Sequence, residues 1–212
     1  MDLALEKPLL RGVLHQVGFF VALLAGAVLV AAAPTARGAC AVYAASLAAM
    51  LGASAAYHRP NWPARQRAWM RRVDHAAIFV LIAGTSTPFA AALDEASRGR
   101  FLAVMWGGAA VGVARALVWI SAPKWLVAAL AVALGWATAP FLPRLAAALG
   151  GVTLAWLAAG GVAYTVGALV YGLKRPNPWP GRFGYHEVFH ALVVVGAALH
   201  FVAVARAVST VG

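Results

Sequence analysis

The chain has 212 residues, 63% of them hydrophobic and only 11% charged, against about 45–50% apolar and about 25% charged in ordinary soluble domains. A soluble chain of this size cannot bury so much apolar surface, whereas a bilayer core about 30 Å thick asks for about 20 apolar residues per helix. These figures exclude disorder, a disulfide scaffold and a soluble barrel or Rossmann enzyme. The 17 Lys and Arg against 6 Asp and Glu read as loops meeting anionic headgroups, with no nucleic-acid partner.

In chain order, the pattern predicts an all-α fold of seven transmembrane helices in a single domain, residues 1–212. The first apolar run, Val17–Ala33, follows Lys7 and Arg11 and ends in three alanines. It is longer than the core of a secretory signal and more apolar runs follow, so it reads as a span. The others are Ala39–Tyr57, His75–Leu93, Phe101–Ile120, Trp125–Leu142, Val152–Tyr171 and Tyr185–Ala205. Between them lie Pro34 and Arg37, the stretch Arg59 to Arg72, Asp94 to Arg100, Ser121 to Lys124, Pro143-Arg144, and Lys174 to Gly184. The lone Cys40 reads as a small packing residue.

The basic residues are asymmetric. All except Arg37, Arg98, Arg100, Arg144 and Arg206 fall on the N-terminal side, which predicts a cytoplasmic N-terminus, an outside C-terminus and a multi-pass protein of the inner membrane. Arg115 is awkward in this scheme because it falls within the fourth span. Trp62, Trp69, Trp119, Trp125 and Trp179 fall near span ends and read as interfacial anchors. Arg59, Arg65, Arg67, Arg71 and Arg72 read as a surface for anionic lipid headgroups.

Ionisable side chains inside a membrane are costly and therefore mark candidate sites. Asp2 and Glu6 are terminal, Asp94 and Glu95 lie in a loop, and only Asp74 and Glu187 adjoin spans. His58 follows Ser54 by four residues, and His190 follows His186 by four, so each pair shares a helical face. In the predicted topology Ser54, His58, Asp74, His186 and His190 meet in one leaflet. Three neutral imidazoles suit Zn²⁺ with a fourth position open to water. The plainer reading makes these interfacial histidines bonded to headgroups or loop carbonyls. His15 precedes the first span and His200 is deep in the seventh, so both fall outside the convergent set.

Six blocks together resemble the haemolysin III family, the bacterial branch of the progestin and adipoQ receptors. They are Ser54-Ala55-Ala56-Tyr57-His58, Val73-Asp74-His75-Ala76-Ala77-Ile78-Phe79 and His186-Glu187-Val188-Phe189-His190-Ala191-Leu192-Val193-Val194, with Arg11–Gln16, Gly84–Phe89 and Ala163–Gly167 in support. The resemblance implies seven helices, an inside N-terminus and a zinc ion on His58, His186 and His190. It also implies an aspartate, Asp74, contacting the metal's water, and a serine, Ser54, lining the site. It further implies a link to slow hydrolysis of lipid amides such as ceramides, to membrane-fluidity and energetic homeostasis, and to an older haemolysin label. The long N-terminal domain of the adiponectin receptors has no counterpart here, so hormone binding is not carried over.

The reading that follows is a zinc-dependent hydrolase of lipid amide or ester bonds, with Asp74 and Ser54 as catalytic groups. Rival readings are a membrane sensor or receptor with structural zinc, and a pore-forming haemolysin. His186-Glu187-Val188-Phe189-His190 also matches H-E-x-x-H, the pattern of a metalloprotease with Glu187 as base. Gly52-Ala53-Ser54-Ala55-Ala56 lacks the second glycine of a serine-hydrolase elbow.

Overall fold

The computed structural model describes residues 7–211; among these there are seven α-helices and no β-strand. The helices are α1 (Val13–Ala32), α2 (Arg37–His58), α3 (Ala64–Ser86), α4 (Glu95–Val118), α5 (Lys124–Trp136), α6 (Leu142–Leu173) and α7 (Tyr185–Val211). Asp2, Glu6 and Gly212 lie outside the described residues.

Six segments are long and apolar enough to cross a membrane, and the predicted fifth and sixth spans fall together in one of them, Lys124–Leu173. α5 alone has 13 residues, about 20 Å at 1.5 Å per residue, short of a bilayer core. The segment is nevertheless folded back on itself. A 3-10 turn, Ala139–Phe141, follows α5, which packs against α6, and Trp136 Nε1 donates to Thr165 Oγ1 at 3.1 Å across the pair.

Several boundaries depart from the sequence pattern for identifiable reasons. Pro143-Arg144, read as a break, sits in the first turn of α6, where proline's missing N–H costs nothing. The interruption comes instead at Gly150, whose φ of 78° and ψ of 160° suit only glycine. The Arg-rich stretch before the third span is helical from Ala64 onward, because Ala, Arg, Gln and Met are good helix formers wherever a helix projects beyond the apolar layer. Asp74 and His75 therefore lie inside α3 instead of opening it. Likewise α1 starts at Val13, which brings His15 into the helix.

Neighbouring helices pack in sequence, and α7 closes the bundle by meeting both α6 and α1. Tyr43, Phe79, Phe89, Phe101, Met105 and Leu145 fill the interior, while α1 turns Phe20, Val21, Leu24 and Val28 outward, as a lipid-facing helix does. Trp69, Trp119, Trp125 and Trp179 are exposed as expected of anchors. Trp62 differs: its indole N–H donates to the carbonyl of Ala56 at 2.8 Å, satisfying an acceptor that the last turn of α2 leaves free.

Beyond the adjoining backbone, no atom lies within 4 Å of where a Cβ at Gly150 or Gly151 would stand, so substitutions there test backbone conformation. Gly150→Ala is expected to cost about 1–3 kcal/mol. Gly151→Ala, in ordinary helical backbone, is expected to be neutral or stabilising by up to about 1 kcal/mol. Unfolding of the detergent-solubilised protein, followed by helical circular dichroism, measures the difference.

Candidate metal centre

Two helices deliver the three imidazoles. His58 is the last residue of α2, and His186 and His190 occupy successive turns at the start of α7. Their donor atoms all lie within 4.8 Å of one another, with His58 Nε2 and His186 Nε2 3.1 Å apart. Two ligands on a tetrahedral ion with arms of about 2.0–2.1 Å stand roughly 3.3 Å apart, so the spacing fits a metal. His190 Nδ1 is buried and without a hydrogen-bond partner among the described residues. The four-residue spacing read from the sequence thus converges as expected, and the cluster can hold a metal ion.

Asp74 is brought to the same place from α3: its Oδ2 lies 3.9 Å from His58 Nε2. Ser54, one turn before His58, is buried beside Asp74. Both line one cavity with the three histidines.

His15 breaks the sequence expectation that it stands apart from this set. It is buried and stacks on His190, ring centroids 3.8 Å apart and planes 11° from parallel. No local pattern marks it, because the contact is made between α1 and α7, far apart in sequence. Gly12, the residue before α1, has φ 79°, and a Cβ there would stand 2.8 Å from that of His58; only glycine permits the N-terminal segment so close to the site. His200 stays apart from the metal cluster, bonded through Nε2 to the Leu157 carbonyl at 3.0 Å.

Glu187 is engaged elsewhere. One carboxylate oxygen pairs with Arg11, and the other accepts the Gly184 N–H at 2.8 Å. The residue is 1% exposed. Backbone bonds from Leu9 to the Gly181 carbonyl (3.1 Å) and from Leu10 to that of Arg182 (3.3 Å) continue the clamp. Glu187 thereby ties residues 7–12 to the start of α7, and both of its oxygens are already occupied.

The cavity has a volume of about 440 Å³. It follows α3 from Arg67 to Ser86, roughly 28 Å at 1.5 Å per residue, so it is long and narrow. At one end are the histidines; beyond them its wall is mainly apolar, with Ile78, Leu81, Val127, Ala131 and Leu157 among the lining residues.

Zinc loading of the purified protein, measured by elemental analysis, is expected to fall sharply in a His186→Ala/His190→Ala variant and to stay intact in His200→Ala. His15→Ala keeps all three donors but removes the ring stacked on His190, so its zinc affinity is expected to drop about 10-fold. Unchanged zinc in the double variant would rule the site out.

The family described as Haemolysin-III related matches residues 3–201, nearly the whole chain. A protein of Bacillus subtilis (strain 168) named Hemolysin-3 homolog is 31% identical over 130 residues, which cover 61% of this chain and 58% of that relative. Hemolysin-3 of Bacillus cereus is 30% identical over 130 residues, covering 61% of this chain and 57% of that one. The chain thus spans less than two thirds of the length of these relatives. The Adiponectin receptor protein of Drosophila melanogaster is 41% identical over 54 residues, 23% of this chain and 12% of the receptor. With its membrane-crossing helices and a match extending over almost its full length, the chain belongs to the Haemolysin-III related family of multi-pass membrane proteins.

Proposed function

We propose that this protein is a zinc-dependent hydrolase of lipid amide or ester bonds, of the kind that cleaves ceramides. The observation that carries the reading is three buried imidazoles and a buried carboxylate at one end of a narrow, largely apolar cavity. An acyl chain fits that cavity, and its amide or ester carbonyl then falls beside His58 and Asp74. Zn²⁺, when bound by His58, His186 and His190, supplies Lewis acidity toward a carbonyl and toward water.

The chain's own residues do the rest. Asp74 accepts a proton at its carboxylate as water attacks the carbonyl carbon, and returns it to the departing amine or alcohol as the C–N or C–O bond breaks. The Ser54 hydroxyl donates to the oxygen on which charge develops. Apolar walls keep bulk water from competing for these hydrogen bonds. In the cell such chemistry adjusts membrane lipid composition and fluidity.

Glu187, held by Arg11 and Gly184, is not free to act as the base that the protease reading requires. A pore would need polar residues along several helices, whereas much of the cavity wall is apolar. A sensor with structural zinc shares the same geometry and differs only in lacking turnover.

The topology belonging to this reading has seven crossings, with α5 as the short fifth, the N-terminus and metal end in the cytoplasm, and the C-terminus outside the inner membrane. Exposed arginines of α3 then meet anionic headgroups. Reporter fusions in the Arg65 segment and at the C-terminus should fall on opposite sides; the same side for both would refute an odd number of crossings.

Asp74→Asn is expected to lower kcat about 10²–10⁴-fold toward a ceramide or phospholipid while zinc is retained. Glu187→Gln should lower stability more than turnover. Lipid turnover by the purified protein, with zinc measured in the same samples, decides. No turnover by the wild type, with zinc bound, would favour the sensor.

A further inference from the structure

Charge along the cavity is one-sided. Arg11, Arg67, Arg71 and Lys124 line it, and Asp74 is the one carboxylate lining it among the described residues. Arg11 is neutralised by Glu187. Arg67 and Arg71, one helical turn apart on α3, make no side-chain hydrogen bond or ion pair with any described residue. The other arginines of this stretch are disposed differently. Arg72 donates to the carbonyls of Leu117 (2.9 Å) and Ala68 (3.2 Å), Arg59 donates to Gln16 Oε1 at 3.0 Å, and Arg65 stands exposed outside the cavity.

Lys124, the first residue of α5, is held from two other helices. Its Nζ donates to Tyr185 Oη at 3.1 Å and lies 5.3 Å from the centre of the Tyr171 ring. The Tyr171 ring in turn lies 5.8 Å from that of His186, so one aromatic ring separates the ammonium from a metal ligand. Arg115 adds a fourth cation behind this wall. Its guanidinium lies 5.7 Å from the centre of the Phe79 ring, and its three nitrogens are buried with no hydrogen-bond partner among the described residues. His75, whose Nδ1 is likewise buried and unpartnered, is within the electrostatic reach of Arg71, Arg115 and Lys124.

Uncompensated cations beside an apolar cavity are costly unless an anion joins them, and a bound zinc ion would add to the same positive field. We propose that Arg71 and Lys124, with Arg67 at the rim and Arg115 behind, form a phosphate subsite, and that the protein's lipid ligand carries a phosphate on its headgroup. A planar guanidinium from α3 and a pointed ammonium from α5, both lining the cavity, suit the several oxygens of a phosphate. Its place one ring from His186 matches a lipid whose phosphate lies a few bonds from an acyl carbonyl, as in phosphoglycerides and phosphosphingolipids. This rests on the hydrolase reading and narrows its substrates from ceramides, which carry no phosphate, to phosphate-bearing lipids; the binding step itself needs no turnover.

The test uses the full-length, zinc-loaded protein in uncharged detergent micelles. Binding of phosphatidate is compared with that of diacylglycerol bearing the same chains, with inorganic phosphate as competitor and hydrolysis followed in parallel. Phosphatidate is expected to bind at least 10-fold more tightly. Arg71→Gln/Lys124→Gln is expected to bring the two lipids within about 3-fold of each other, whereas Arg71→Lys/Lys124→Arg and Arg65→Gln keep the preference. Inorganic phosphate is expected to compete only at 100-fold or higher excess.

Equal binding of the two lipids, a preference that survives Arg71→Gln/Lys124→Gln, or an equal loss in Arg65→Gln would each overturn the subsite. Competition by inorganic phosphate at the concentration of the lipid would replace the lipid with a soluble anion and overturn it as well. A phosphate preference without hydrolysis of any lipid keeps the subsite and removes the hydrolase reading. Hydrolysis with no preference does the reverse.

Discussion

The ion pair between Arg11 and Glu187 holds together the end of the bundle that carries the histidine cluster. A carboxylate that is 1% exposed survives in an apolar interior only with its charge and its lone pairs satisfied. Arg11 and the Gly184 N–H satisfy Glu187 from opposite sides, and in doing so they fasten residues 7–12 to the start of α7. His15, in the first turn of α1 just after this segment, rests its ring on that of His190. The positions of two imidazoles thus depend on a pair that has no part in binding a metal.

The same need to satisfy polar groups explains why the interior is so uneven. α1 and much of α4 meet the surroundings with Ala, Leu, Val and Phe, while the polar groups Ser54, His58, Asp74, His75, His186 and His190 line one cavity. Concentrating them lets each serve as another's partner or stand ready for a ligand. His58 faces His186 and lies near Asp74, whereas His190 Nδ1, His75 Nδ1 and the Arg115 guanidinium remain unpartnered among the described residues. The imidazoles of His58, His186 and His190 and the basic groups of Arg71 and Lys124 differ in residue type, but all five line the same cavity.

Much of the site was legible before any coordinates because it rests on local periodicity. Residues four apart on a helix share a face, so the Ser54/His58 and His186/His190 pairs could be read directly, and the high cost of intramembrane charge singled out Asp74. The membrane character and the family blocks are likewise properties of composition and order along the chain. Those determinations needed only the chain itself: an all-helical membrane protein with one cluster of histidines and an aspartate, and a basic excess at one end.

Tertiary structure decided whatever depends on partners remote in sequence. Nothing local foretells that Glu187 pairs with Arg11, 176 residues away. His15 could not be assigned to the site until α1 and α7 were side by side. The arginines from Arg59 to Arg72 look equivalent as a charged run, but helical phase sends Arg67 and Arg71 to the cavity and leaves Arg65 outside it, while Arg59 and Arg72 are held by distant groups. Gly150 shows the same division, since its residue type permits a positive φ but only the three-dimensional structure places a break there. Composition and periodicity act through neighbours along a helix, whereas charge pairing and ring stacking act through space, and it is the latter that assembled this site.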